Sequence, residues 1–167
     1  MNPLEPEDLS RLLDRHGAAL VLYARQWCES PEDVVQEALV QLVQQRPPPE
    51  NVAGWLYRVV RNAAISSARS AKRRSRREKA VAHRGEPWFE SSAGDRLDAQ
   101  EATQALASLR IEQREVIVAR LWGGLSFEEI ATLTGTSTST VHRWYHSDLE
   151  ALRERLGVSC KKNLRPS

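Results

Sequence analysis

An all-α fold of two small helical domains, joined by a flexible linker and carrying a helix-turn-helix in the second, is predicted by three features of this 167-residue chain. Apolar residues recur every three or four positions, and no period-two stretch marks a strand. The recurrence stops between about Val81 and Asp98, where Gly85, Pro87, Ser91, Ser92 and Gly94 gather in linker-like composition. Phe127 to His146 reads as helix, glycine turn, helix. The division is therefore a domain over residues 1–80, a linker over 81–98, a second domain over 99–157 and a basic tail over 158–167.

Each element has a local cause. Leu9, Leu12, Leu13, His16, Leu20, Tyr23 and Trp27 fall on one face of a first helix. Ser30 suits an N-cap, with Pro31 at the first helical position and Glu32 and Asp33 where carboxylates favour the dipole. That second helix buries Val35, Ala38, Leu39 and Leu42 and stops at Pro47-Pro48-Pro49, because proline lacks an amide hydrogen and disfavours helix in the residue before it. A further helix from about Val52 turns Trp55, Leu56, Val59, Val60 and Ala63 inward and runs into a basic tract. In the second domain, Leu97 to Trp122 makes one or two helices, broken at Gly123-Gly124. Ser126-Phe-Glu-Glu129 is a capping box, Gly135 a natural C-cap, and the last helix opens in Thr136 to Thr140 with Val141, Tyr145, Leu149, Leu152 and Leu156 inward.

Charge is unevenly placed. Residues 1–50 carry a net −5, residues 51–84 a net +9, residues 85–119 a net −4 and residues 120–167 a net +2. A concentrated basic block between acidic ones suits a polyanion on one face and a different partner on another. The longest uncharged apolar run, Gly17 to Ala24, is far short of the roughly 20 residues of a membrane span, and the acidic start is unlike a secretion signal, so a cytoplasmic protein without membrane insertion is expected. Cys28 and Cys160 form no paired or ligand spacing. No Gly-rich phosphate loop, nucleophile elbow or metal-spaced His/Cys set appears, so neither enzyme, cofactor nor metal site is expected. His142 and His146 do stand at i and i+4, but Arg-Trp-Tyr between them replaces the glutamate-bearing sequence of a zinc protease helix.

Three surfaces carry recognisable chemistry. At 100° per residue, Ser139, Arg143 and His146 point away from the core of the last helix while His142 and Trp144 flank it, so hydroxyls, guanidinium and imidazole are placed to read a major groove. On the helix from Val52, the side opposite the apolar face displays Tyr57, Arg58, Arg61 and Ile65, then Arg69, Lys72 and Arg76. Arginine interleaved with an aromatic suits phosphate together with an unstacked base. Seven of the eleven residues from Arg69 to Lys79 are basic. On the preceding helix, Asp33, Gln36 and Glu37 surround the apolar Val40, a stripe fit for a protein partner with basic side chains, though a solvated face would look similar.

The order Pro31-Glu-Asp-Val-Val-Gln-Glu-Ala38, Trp55-Leu-Tyr-Arg-Val-Val-Arg-Asn62, Gly124-Leu-Ser-Phe-Glu-Glu-Ile-Ala131, then Ser139-Thr-Val141 followed by Leu149 to Leu156, resembles bacterial RNA polymerase sigma factors of the sigma-70 family, specifically the compact extracytoplasmic-function group. The resemblance implies a promoter-specificity subunit that binds core RNA polymerase, touching the clamp helices of the largest subunit and the flap of the second-largest, and that recognises and melts promoter DNA. An anti-sigma factor is a further partner the resemblance allows. It places Asp33, Gln36, Glu37 and Val40 on the clamp helices. Trp55, Tyr57, Arg58, Arg61, Asn62, Arg69 and Lys72 fall on the downstream promoter element, where a base leaves the stack. Ser137, Thr138, Ser139, His142, Arg143 and His146 fall on the recognition helix at the upstream element. The chain departs from the family in a short Arg46 to Asn51 loop without an aromatic side chain, and in His-Arg-Trp at 142–144 where Lys-Ser-Arg types are common. The main alternative is a stand-alone helix-turn-helix regulator, which leaves the Asp33 stripe and the Trp55 to Asn62 segment without work.

Overall fold

The computed structural model describes residues 4–76 and 96–157, so the tail and most of the expected linker lie outside the described residues. Among the described residues the chain forms seven α-helices and no strand: α1 (Pro6–Arg25), α2 (Pro31–Gln44), α3 (Val52–Ser75), α4 (Arg96–Ala107), α5 (Ile111–Leu121), α6 (Phe127–Thr134) and α7 (Thr138–Arg155).

Proline opens both α1 and α2, and acidic side chains occupy their first turns, where they complement the exposed amide ends. Ser30 holds the cap position of α2, but its hydroxyl makes no capping hydrogen bond. Asn51 caps α3 instead by chemistry, its Oδ1 accepting from the Gly54 amide at 2.9 Å. At 24 residues α3 is about 36 Å long and ends in Lys72, Arg73 and Arg74, cations at the negative end of its dipole. The segment from Leu97 to Trp122 resolves into two helices, α4 and α5.

Helices α1, α2 and α3 pack on one another, and α5 packs with α6 and α7, with α4 against α5 and α7. The two groups are not separate in space, because α1 also packs on α5 and α3 on α6. One apolar core therefore runs from Leu20, Leu42, Leu56 and Val60 through Tyr23 and Tyr57 to Val116, Val118, Ile130 and Val141. A smaller cluster of Ala105, Leu106, Ile117 and Leu152 seats α4. Residues 115–119 of α5 are all buried, as a helix must be when neighbours cover it on every side.

This docking rotates the buried face of α3. Leu56, Tyr57, Val60 and Ala64 are fully buried, while Trp55, Val59 and Ala63 are only half-buried. Tyr57, expected on the outward side, has 0% exposure because the second module lies over it. A Cβ added at Gly123 would stand 2.7 Å from the Tyr57 hydroxyl and 2.5 Å from the Ala119 carbonyl oxygen, so only glycine admits the approach. Inward packing along α7 is as expected for Val141 and Leu152, but Leu156 at its end is 37% exposed.

Between α6 and α7 the turn is set by sequence chemistry. Ser126 and Glu129 form the complete capping box, and Gly135 ends α6 at φ +69°. Among the described residues no neighbouring atom lies within 4 Å of where a Cβ at Gly135 would stand, so substitution there costs conformation rather than space. Gly135→Ala should lower unfolding stability by about 1 kcal/mol without repacking, checked by urea denaturation followed by far-UV circular dichroism.

Candidate nucleic-acid interface

The site residues fall into three surfaces, and the docking of the modules decides which are open. On α2, Asp33, Gln36 and Glu37 are exposed and Val40 is 46% exposed, with Val43 beside them at 40%. The opposite side of α2, Val35, Ala38 and Leu42, is buried, so the stripe is the free face of a firmly seated helix.

On α3, Arg58 and Asn62 are exposed, and Trp55 is half-buried. Trp55 and Arg58 line a cleft of about 430 Å³ between the modules, opposite Leu125, Glu128 and Glu129. Farther along, Arg69 and Lys72 are exposed and share a groove with Ser66, Arg73 and Arg76. Among the described residues, four cations with one hydroxyl and no acid form a surface for a polyanion.

Arg61 has a different setting. Its Nε–H donates to Oε1 of Glu115 on α5 at 2.5 Å and its Nη2 to Oε2 at 3.4 Å, while the Tyr23 hydroxyl of α1 donates to the same Oε1 at 2.5 Å. Glu115 is 3% exposed. A buried carboxylate is costly unless paired and hydrogen-bonded, and here it has one charged and one neutral donor. Burial and then the neighbouring Glu115 carboxylate push the Tyr23 hydroxyl far above its ordinary range. Burial opposes the charge on Arg61, but the Glu115 hydrogen bond and charge outweigh it, so its proton is held more tightly than usual. The guanidinium also stands 6.0 Å from the Trp27 ring centroid.

A second polar link joins the modules at the surface. Asn51 Nδ2 donates to Glu129 Oε1 at 2.7 Å, while Glu129 Oε2 accepts from the Ser126 amide at 2.8 Å. The Ser126 amide first, and Asn51 second, hold the Glu129 carboxyl below the usual range.

On α7, Thr138, Ser139, His142, Arg143 and His146 are exposed together along one side, and Trp144 is half-buried. Ser137 sits at the cap, its Oγ accepting from the Thr140 amide at 3.3 Å and bonding Thr140 Oγ1 at 2.9 Å, so its oxygen is already engaged. Phe127 of α6 packs edge-on against His142 and Tyr145 and lies under the Arg120 guanidinium, fixing α6 to α7.

Sequence reasoning brought together the Asp33 stripe, the α3 cations and the α7 face, but missed Tyr23, Asn51, Glu115, Gly123 and Glu129 as the residues that join the modules. For Glu115 one signal existed: a carboxylate directly before the apolar run Val116-Ile-Val-Ala119. Its partners could not be read from that.

Residues 12–74 match the family described as sigma-70 region 2, and residues 99–147 match sigma-70, region 4. Two modules of this kind, a helical bundle with a basic long helix and a helix-turn-helix, define a sigma-70-type transcription factor. The chain is 34% identical to the ECF RNA polymerase sigma factor SigL of Mycobacterium tuberculosis, over 89% of this chain and 90% of that one. It is 32% identical to the RNA polymerase sigma factor CarQ of Myxococcus xanthus, over 75% and 74%. Its fold resembles the sigma factor RpoE solved with the anti-sigma factor NepR from Bartonella quintana, with TM-score 0.72 and 24% identity, covering 92% of this chain and 99% of that one. It also resembles CnrH, solved with the cytosolic domain of CnrY, with TM-score 0.58 and 25% identity, over 93% and 92%. The chain belongs to the ECF group of RNA polymerase sigma factors, whose function is to give the polymerase its promoter specificity. Among the described residues no helix is long and apolar enough to cross a membrane.

Glu115→Ala should part the modules before it unfolds either. Removing one partner of a buried ion pair costs about 3 kcal/mol, and opening lets Arg61 regain water. Fluorescence energy transfer between dyes at positions 44 and 132 should fall while helix content stays constant; unchanged transfer would show that the apolar contacts alone hold the docking.

Proposed function

We propose that the chain directs core RNA polymerase to promoters with the three surfaces divided as follows. Asp33, Gln36, Glu37 and Val40 meet the clamp helices of the largest subunit. Trp55, Arg58, Arg61, Asn62, Arg69 and Lys72 take the downstream element. Thr138, Ser139, His142, Arg143 and His146 read the upstream element as duplex, and their module rests on the flap of the second-largest subunit. The observation that carries this reading is the exposed α7 side, where five polar side chains face solvent on a helix whose other side is packed. The chain carries out no reaction of its own and works in the cytoplasm, where the polymerase is.

The docked arrangement is the resting form in this reading. Arg61 cannot reach nucleic acid while Glu115 holds it, and Glu128 and Glu129 border the cleft that Trp55 and Arg58 line. These carboxylates occupy positions that phosphates would take. Tyr57, being under Gly123, joins the downstream surface only when the modules separate. Binding to polymerase must therefore supply the opening, and an anti-sigma partner, such as the one solved with the sigma factor RpoE, would act by keeping the chain closed.

Co-elution with core RNA polymerase on a sizing column tests the division. The wild-type chain should shift into the polymerase peak, and the Asp33→Arg, Glu37→Arg double variant should not. If neither shifts while both retard duplex DNA, the chain acts alone and the division is wrong. Arg143→Ala should weaken binding to a promoter duplex by about 1–3 kcal/mol, measured by fluorescence anisotropy, with polymerase co-elution intact.

A further inference from the structure

The recognition helix holds a feature that promoter reading does not require. His142 and His146, one turn apart on α7, face each other with Nε2 atoms 3.1 Å apart. Both side chains are exposed. Both rings are held by aromatic neighbours, His142 edge-on to Phe127 at 5.1 Å and His146 edge-on to Tyr145 at 5.2 Å, so their orientation is set before any ligand arrives. Pre-set side chains lose little further freedom on binding.

We propose that His142 and His146 form a two-histidine site for a borderline divalent transition-metal cation, on the side of α7 that faces duplex DNA. With metal–nitrogen bonds of about 2.0–2.1 Å, two nitrogens 3.1 Å apart subtend roughly 100° at the metal, between the angles of square-planar and tetrahedral centres. As they stand, the two nitrogens share one hydrogen: one ring is protonated at Nε2 and the other accepts. To ligate, the donating ring moves its hydrogen from Nε2 to Nδ1, leaving both Nε2 lone pairs free with no net proton change. The absence of a glutamate between the histidines argues against a catalytic zinc centre, but a simple chelate needs no base. Among the described residues no group of three or more potential ligands forms, so water completes the coordination and the cation exchanges readily.

The consequence rests on the proposed role of α7. A bound cation withdraws two imidazole edges from base contacts while adding positive charge that attracts phosphate. Discrimination between sequences should then fall while sequence-independent attraction rises.

Titration calorimetry of the full, tag-free chain with Cu²⁺ and with Ni²⁺ tests the site directly, alongside His142→Gln, His146→Gln and the variant carrying both substitutions. The wild type should take up one cation, Cu²⁺ more tightly than Ni²⁺, and each single variant should bind at least about tenfold more weakly. Equal affinity in wild type and variants overturns the chelate. Promoter reading is tested separately, by comparing each protein with itself with and without Ni²⁺ on a duplex it selects from a random pool and on a scrambled one. For the wild type the affinity ratio should fall by about fivefold or more, the scale of one lost base contact, and for the double variant it should not respond. A site that binds Ni²⁺ tightly and leaves the ratio unchanged keeps the chelate and overturns its placement against bases.

Discussion

One buried carboxylate fixes how the two halves of this sigma factor meet. Glu115 accepts from Tyr23 on α1 and Arg61 on α3, and it can do so only when α5 packs on α1 within side-chain reach of Arg61. Its desolvation is repaid by geometry alone, since a shift that broke either donor would leave charge in an apolar setting. The surrounding contacts, Tyr57 beneath Gly123 and Val116 and Val118 in the shared core, supply area but would tolerate sliding. The polar triad makes the arrangement unique. Tyr57 shows the cost of that fit: among the described residues its buried hydroxyl has no hydrogen-bond partner, and burial raises its pKa.

The helix-turn-helix depends on a different set of constraints, nearly all local. Ser126 and Glu129 close the start of α6, Gly135 in the left-handed region ends it, and Ser137 caps α7. Phe127 then ties the two helices through His142, Tyr145 and Arg120. Because none of these contacts reaches the first module, the helix-turn-helix can keep its shape while the modules separate. Glu129 is the exception, since one oxygen serves the capping box and the other holds Asn51. Its cap survives loss of the Asn51 contact, which makes that link easy to undo.

This difference explains what was legible in the sequence. Elements whose cause lies within four or five residues were readable: the stop of α2 before the prolines, the capping box, the Gly135 turn, and the exposed side of α7. The rotation of α3 was not. Tyr57 falls on the polar side by helical spacing, and only a surface supplied by Gly123 and Ala119, far along the chain, makes that side apolar. Likewise Glu115 meets partners 92 and 54 residues away, and nothing in its neighbourhood specifies them. The exposure of the α7 side was legible from helical spacing; the state in which the α3 residues are held was not, because it depends on contacts between modules.

Arg61 connects these two levels. In the closed chain its guanidinium holds a planar oxyanion with two hydrogen bonds, and a backbone phosphate would offer it the same fork. Exchanging one for the other costs little at Arg61 itself. What opening must overcome is the loss of apolar packing at Tyr23 and Tyr57, whose rings pack edge-on at 5.0 Å under the second module. Once exposed, Glu115 can be hydrated, so its penalty belongs to the closing step and not to the open state. The balance between the states is therefore set by apolar area and by how well Glu115 is satisfied, while Arg61 decides only which anion it serves. On the proposed function, a polymerase that binds the α2 stripe can shift that balance without touching the interface between the modules, because the stripe is exposed in the closed form and remains exposed in the open one.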